Sequence, residues 1–457
     1  MINLSQAISE FVNTLSMLSQ ITERLSSPFS WPTDHDPIEW LDAQSIYPKF
    51  YWHSRDGNEE TIALGQVKTF SNPMSAEYTL TEGQFIWGGC SFDGRTECGQ
   101  CCFQSFFFLP QIEVSRFNEQ WFLSINIGND LLKTKATLAK LSDSFSSLAS
   151  PQCNIVKMVH KPDYPRWSEM IDRALTDIEY TVLRKVVLAR KTTLTLDRPL
   201  SATQLLKASR DKNSANFHFM LAFDAKHCFV GSTPERLFIR QEEKLRTEAL
   251  AGTIGRGITI EDDLALSHWL LNDPKNIYEN KLVVDDIADQ LAQYCVSFYV
   301  EELPHLVRLR KVQHLKREIF VQLNKDILST TLLEALQPTA AIAGLPRESA
   351  MSFITKNEPF IRGWYSGSVG FLSRERSEFC VAIRSAFVMD NLIHLFAGAG
   401  IVPGSSPKIE WNELDKKIST LLCLLKPLEF KSKTTRIIDK MCLERWKKER
   451  DESIPPK

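Results

Sequence analysis

Residues 367–422 restrict the fold more than any other part of this chain. They read GSVGFLSRERSEFCVAIRSAFVMDNLIHLFAGAGIVPGSSPKIEWNELDKKISTLL. Two apolar, strand-like runs lead into a glycine-rich turn at Gly398 and Gly400. A helix then opens on Ser406-Pro407, a capping residue followed by a proline that suits the first turn. That helix carries Glu410, Glu413 and Lys417 at i, i+3 and i+7, so the three share one face. Two acids and a base just behind flexible backbone form a plausible site for a metal-bound anionic ligand.

The 457 residues suffice for one large domain or two to three small ones. A hydrophobic content of 43% and a charged content of 24% are ordinary for a globular protein with a sizeable core. Net charge is only −2, so no global field favours nucleic acid or an acidic membrane surface. The N-terminal stretch is amphipathic and contains acids, unlike a signal peptide. No apolar run reaches the ~18 residues that a membrane span needs. A cytoplasmic location is therefore expected, with reduced thiols. Cys90, Cys98, Cys101 and Cys102 cluster, but no second ligand pair follows at zinc-ribbon spacing.

Residues 1–160 alternate short aromatic strands (TIALGQVKTF, QFIWGGCSF, CFQSFFFLP, QWFLSINIG) with polar joins, and a helix is expected over 131–149. Pro151 and the Pro162–Pro165 pair mark a boundary. The spacing then predicts a helix from Ser168 to about Leu183, the strand KVVLARKTTLTL, and an antiparallel meander over 216–250. Asp273-Pro274 opens a further helix that carries Glu279. Hairpins followed by helices indicate an α+β protein rather than a β-α alternation. Neither GxGxxG nor GxxxxGK[ST] occurs, which argues against a Rossmann or P-loop nucleotide site. Residues 161–428 form the expected catalytic region, and 429–457 a charged tail, either a solvated helix or a basic arm.

Several residues fit chemistry, each beside a plainer reading. Lys185 opens a strand, where a lysine is usually an exposed edge charge; buried among Val187 and Ala189, desolvation would lower its pKa toward use as a base. Glu235 follows a turn proline in GSTPERLF and reads as a solvated hairpin acid, or as an acid whose pKa is raised by nearby carboxylates and poor solvation. Glu279 and Glu413 suit helix starts electrostatically. As a pair they can also hold one hard divalent cation, with Glu410 contributing through water. Arg384 interrupts an apolar strand, so it needs an anionic partner, either a structural one or a substrate carboxylate. Gly252 and Thr253 in LAGTIGRG, like Gly398 and Gly400, permit close backbone approach to a ligand. No GxSxG or HExxH occurs, and His314 is the histidine of interest.

Together KVVLAR, GSTPERL, LAGT, KNIYENKLVV, VQHL, LQPTAAIAGLP, EPFIRGWYSGSVG, CVAIRSA, LFAGAGIV and EWNELDKK resemble, in order, the chorismate-utilising enzymes. That family includes isochorismate, salicylate, anthranilate and aminodeoxychorismate synthases. The resemblance covers roughly residues 165–425. LQPTAAIAGLPRE is similar to the menaquinone-type isochorismate synthases; siderophore-type relatives typically carry histidine where Gln337 stands.

The resemblance implies a four-layer α/β/β/α sandwich of two mostly antiparallel sheets, completed by the N-terminal 160 residues. It implies chorismate as substrate, Mg²⁺ as cofactor on Glu279 and Glu413, no glutaminase subunit, and a monomer or weak homodimer. Lys185 matches the base that activates water, and Glu235 the acid that protonates the departing C4 hydroxyl. Tyr365, Arg384, Lys417 and the Gly400 backbone match groups that hold the two carboxylates. Gly252, Thr253, His314 and Glu410 match further pocket positions. Ala341 stands where salicylate synthases tend to carry threonine, which favours isochorismate over salicylate as product. A siderophore-pathway isochorismate synthase, a salicylate synthase and a non-catalytic anion-binding protein are the rival readings.

Overall fold

Lys185–Leu196 is rich in Val and Thr and free of Gly and Pro, a composition that favours an extended, half-buried backbone. It pairs antiparallel with Leu392–Ile401, setting Val187 opposite Gly400 and Ala189 opposite Gly398. In this computed structural model, which describes residues 2–17, 24–97, 103–128 and 130–425, that pair lies near one end of a large sheet. Cys98, Cys101, Cys102 and the tail 429–457 fall outside the described residues.

The described residues form two sheets, of twelve and ten strands, in which every strand pairing is antiparallel. The first sheet runs from Arg24–Phe29 through Gln120–Asn126, Ile112–Phe117, Glu59–Leu64 and Lys49–His53. It continues through Phe217–Ala222, His227–Thr233, Ser385–Met389, Leu392–Ile401 and Lys185–Leu196. Gly344–Leu345 and Ile155–Lys161 both pair with that last strand. The second sheet runs Cys295–Val300, Val312–Leu323, Lys244–Gly255, Arg236–Gln241, Arg376–Val381, Ser368–Leu372, Ile86–Cys90, Ser105–Leu109, Lys68–Phe70, with His305–Arg308 paired to Val312–Leu323.

Helices cover the outer faces: Tyr164–Tyr180, Ala202–Arg210, Arg347–Asn357 and Pro407–Leu422 on the first sheet, Ile260–Asn272 and Pro274–Leu291 on the second. The α+β sandwich is thus the observed fold. Between the sheets lies an aromatic core that includes Phe50, Trp52, Trp87, Phe217, Phe229, Phe371 and Phe387. Among the described residues, no helix is long and apolar enough to cross a membrane.

Several local expectations need correction. The helix expected over 131–149 ends at Leu138, where a Ser-rich stretch competes with helix for backbone hydrogen bonds. The helix expected from Ser168 starts at Tyr164: Asp163 caps it through Arg166 N, and Pro165 sits in its first turn rather than marking a break. Gly398 and Gly400 lie inside a strand, not in a turn. The meander over 216–250 is divided. Phe217–Ala222 and His227–Thr233 belong to the first sheet, Arg236–Gln241 and Lys244–Gly255 to the second.

Candidate active site

The division of that meander creates the site. Between His227–Thr233 and Arg236–Gln241 the chain leaves one sheet for the other, with Pro234 at the break, and Glu235 sits at this crossover rather than in a hairpin turn. A second crossover joins Arg376–Val381 to Ser385–Met389 and carries Arg384, which therefore does not interrupt a strand. The crossovers are tied together: Val381 N donates to Glu235 O at 3.0 Å, and Ser232 N to Arg384 O at 3.1 Å. Arg384 takes a left-handed backbone, φ +50°, uncommon for a side-chain-bearing residue.

Lys185 is fully buried, so the exposed-edge alternative is excluded. Its Nζ lies 3.0 Å from Glu279 Oε1, from the second turn of Pro274–Leu291. Burial would push the Glu279 carboxyl up, but the ammonium of Lys185, with Lys417 and Lys275 beyond it, holds it below the usual range. A Cβ on Gly400 would stand 2.3 Å from Glu279 Oε1 and 3.1 Å from Lys185 Cε, so the pair requires glycine there. On Gly398, a Cβ would meet the Tyr365 hydroxyl at 3.1 Å.

Glu413 pairs with Lys417 at 2.5 Å, and Lys417 also donates to Gly398 O at 2.9 Å. Glu410 is buried and pairs with Lys275 at 3.1 Å. Burial and the neighbouring Glu413 raise Glu410 to about 7, against the pull of Lys275. Burial alone would lower the Lys275 ammonium; Glu410 first, then Glu279 and Glu413, raise it. No three His, Cys, Asp or Glu side chains among the described residues already converge as a ligand set. Two hard carboxylates with the remaining positions left to water and ligand oxygens is nevertheless the donor set that Mg²⁺ accepts.

Glu235 is buried, and burial together with Glu248 raises it to about 8, outweighing Lys185, Arg384 and Lys417. It therefore holds its proton at neutral pH. The same cations that moderate Glu235 are those near which an anionic ligand would sit. Burial lowers the Arg384 guanidinium, with Tyr365, Glu413 and Glu235 opposing. Tyr365 is buried and stacks on Phe396 with ring centroids 5.0 Å apart.

Thr253 and His314 face each other across neighbouring strands, Oγ1 to Nδ1 2.8 Å. Burial, then Arg384 and Lys417, push His314 well below its ordinary range, so it is neutral. Gly252 has φ +88° and packs against Asn276, whose Oδ1 accepts from Thr253 N at 3.1 Å. Ala341 packs on the aliphatic core beside Ala340, whose N–H donates to Asp286.

Sequence reasoning missed Lys275, whose signal was its place four residues before Glu279 on one helix. It also missed Arg362, which donates to Val187 O at 2.6 Å and Ile342 O at 3.0 Å and so ties the Lys185 strand to the Ala341 segment. Glu248 and Arg55 were missed too, and no local pattern marks them. A separate cleft between the sheets, lined by Arg24, Glu59, Glu113 and Arg376, has its charges paired as Arg24–Glu113 and Arg376–Glu59.

Comparison with known proteins places the chain in a family. A family model described as "Chorismate binding enzyme" matches residues 75–426. The chain is 40% identical over 411 residues to "Isochorismate synthase MenF" of Escherichia coli, covering 87% of this chain and 92% of that one. It is 39% identical over 428 residues to the protein of the same name from Haemophilus influenzae, covering 92% and 96%. The solved structure of the Escherichia coli menaquinone-specific isochorismate synthase superposes with a TM-score of 0.86 at 38% identity, covering 93% of this chain and all, 100%, of that one. Anthranilate synthase component I of Streptococcus pneumoniae shares the fold, with a TM-score of 0.61 at 17% identity over 89% of this chain and 93% of that one.

Proposed function

The chain belongs to the chorismate-binding enzyme family, and from that premise we propose that it is an isochorismate synthase acting in the menaquinone pathway. The observation that supports this most is a fully buried lysine, Lys185, within electrostatic reach of a buried glutamic acid, Glu235, that keeps its proton at neutral pH. Lys185 rests as the ammonium paired with Glu279 and must first release that proton to solvent; as the free amine it takes a proton from water, and the oxygen attacks C2 of chorismate. Both ring double bonds shift, C1=C2 to C1=C6 and C5=C6 to C4=C5, and the C4 hydroxyl leaves as water with the proton that Glu235 supplies. Atoms balance: one water enters and one departs.

Arg384 and Tyr365 hold the substrate's carboxylates by charge and hydrogen bonding, with Lys417 and the Gly400 backbone alongside. Thr253 and neutral His314 form an uncharged polar wall. Glu279 and Glu413, with Glu410 behind them, are the carboxylates that would hold Mg²⁺. When bound, that cation neutralises a substrate carboxylate. The reading carries with it a cytoplasmic location and no glutaminase subunit. Residues 1–160 complete the sandwich around the catalytic region 161–428.

The test is incubation of the purified protein with chorismate and Mg²⁺, with an EDTA control and chromatographic separation of products. Metal-dependent isochorismate alone is the expected outcome. Salicylate with pyruvate would move the protein to the lyase-competent branch, and chorismate recovered unchanged would sink the assignment.

A further inference from the structure

We propose that Arg55 and Glu248 are positioning residues for Glu235, gripping the peptide groups on both sides of it. This rests on the reading of Glu235 as the general acid. Arg55 comes from the turn between Lys49–His53 and Glu59–Leu64, far from Glu235 in sequence. Its Nη1 donates to Pro234 O, the carbonyl before Glu235, at 2.7 Å. The same guanidinium holds Glu248 with a fork, Nη1 to Oε1 at 2.5 Å and Nη2 to Oε2 at 2.9 Å. Glu248 Oε1 in turn accepts from Arg236 N, the N–H after Glu235, at 2.9 Å. The Glu235 carbonyl is itself held by Val381 N, at 3.0 Å. Arg55 and Arg236 both pack on the Phe217 ring, 5.5 and 5.4 Å from its centroid, which fixes the fork against rigid core.

A neutral hydrogen-bonding side chain would serve the backbone equally well, so the charge of Glu248 needs a separate reason. Its carboxyl is completely buried, with Lys316 at 3.4 Å as a further partner. Burial would push Glu248 up, but Arg55 first, then Lys316 and Arg236, keep it below the usual range and ionised. An anion is thereby fixed beside Glu235. The other groups facing Glu235 are Lys185, Arg384 and Lys417, and Cys380 on the neighbouring strand. Glu378, on that same strand, is taken up by Arg236 at 2.9 Å. Glu248 is thus the carboxylate that opposes the three cations and preserves the proton of Glu235.

Glu248→Gln keeps the Oε1 acceptor used by Arg236 N and Arg55 Nη1, and removes the charge together with the Oε2 acceptor used by Arg55 Nη2. On wild-type protein, kcat/KM should fall as pH rises through about 8, where Glu235 loses its proton. In Glu248→Gln this alkaline limb should move to lower pH by roughly one unit, an order-of-magnitude loss at pH 8.5 with little change at pH 6. A readout that needs no turnover is the δ-¹³C carboxyl resonance of Glu235, identified by its disappearance in Glu235→Gln; its midpoint should shift in the same direction. A purely structural Glu248 would lower thermal stability and leave both midpoints in place, and that result would overturn the proposal. Should Glu248→Gln fail to fold, Arg55→Lys carries the test: it keeps the charge but not the fork, and should lower kcat about tenfold with KM within about twofold. Unchanged kcat in that variant would also overturn it. If chorismate is not turned over but the resonance still shifts, the reaction assignment fails and the Glu248 effect stands.

Discussion

The Phe217 ring touches two different neighbourhoods, one aromatic and one charged. Trp52 contacts Phe217 at 5.2 Å, Trp87 meets Phe371 at 5.0 Å and Phe50 at 5.3 Å, and all of these rings are buried. Arg55 and Arg236 also pack on Phe217, and both are hydrogen-bonded to Glu248. The aromatic side is redundant, since each ring touches several others and their burial stabilises the fold. The charged side is not redundant: Arg55, Glu248 and Arg236 are held in one network of directed hydrogen bonds, and the burial of Glu235 costs stability at neutral pH in return for a retained proton. Two buried regions should thus respond to substitution in opposite ways.

The sharpest way to break that contrast is Glu235→Gln. Loss of a general acid should reduce turnover about 10³-fold. Stability should move the other way. Glu235 is raised from 4.5 to about 8, first by burial and then by Glu248, so the native state holds a proton that the unfolded chain has released between those values. That contribution to stability is present below 4.5 and is lost as pH rises through about 8. Glutamine does not titrate, so the variant's gain in melting temperature should grow across this window and level off above it. A variant that melts lower than wild type at pH 8 would contradict the electrostatic account.

On the aromatic side, Phe371→Ala should behave inversely, costing about 3–5 kcal/mol in denaturant unfolding while preserving turnover per folded molecule. A selective loss of turnover would show that the two regions are not separable. Gly400→Ala returns to the charged side. Its Cβ would fall 2.3 Å from Glu279 Oε1, so the Glu279–Lys185 pair must part. Turnover should drop ~10²-fold, as expected when a reacting group is misplaced by about an ångström. The melting temperature should change by only a few degrees.

The same contrast governs what could be read in advance. Ser406-Pro407 and Asp273-Pro274 mark helix starts through local chemistry, and both helices begin there. Lys185–Leu196 is legible from its own composition. The crossovers at Pro234–Glu235 and Ala382–Arg384 are not, because a strand pair that changes sheets has the same alternation and spacing as one that stays. Pro165 misled as a breaker because its cap, Asp163, satisfies a helix end that begins earlier. Arg55 was out of reach for a different reason: its partners Pro234 and Glu248 are brought to it by pairing between Lys49–His53 and Phe217–Ala222, which no local pattern encodes.

Arg384→Lys is the finest probe of the division. It retains a positive charge near Glu235 and Glu413 and so should alter the acid's proton affinity little. What it removes is the planar fork that can take both oxygens of a carboxylate. If Arg384 acts through its charge alone, KM and kcat should both stay near wild type. If it grips a substrate carboxylate, KM should rise by roughly tenfold, in keeping with a charge-assisted hydrogen bond of ~1.5–3 kcal/mol partly retained, while the alkaline limb of kcat/KM stays where it was. The left-handed backbone at φ +50° adds a constraint: lysine meets the same steric penalty there as arginine, so the comparison isolates the side-chain head group. Steady-state kinetics across pH would separate the two outcomes. A shifted limb without a change in KM would move Arg384 from substrate binding to the electrostatic control of Glu235, the role otherwise carried by Glu248.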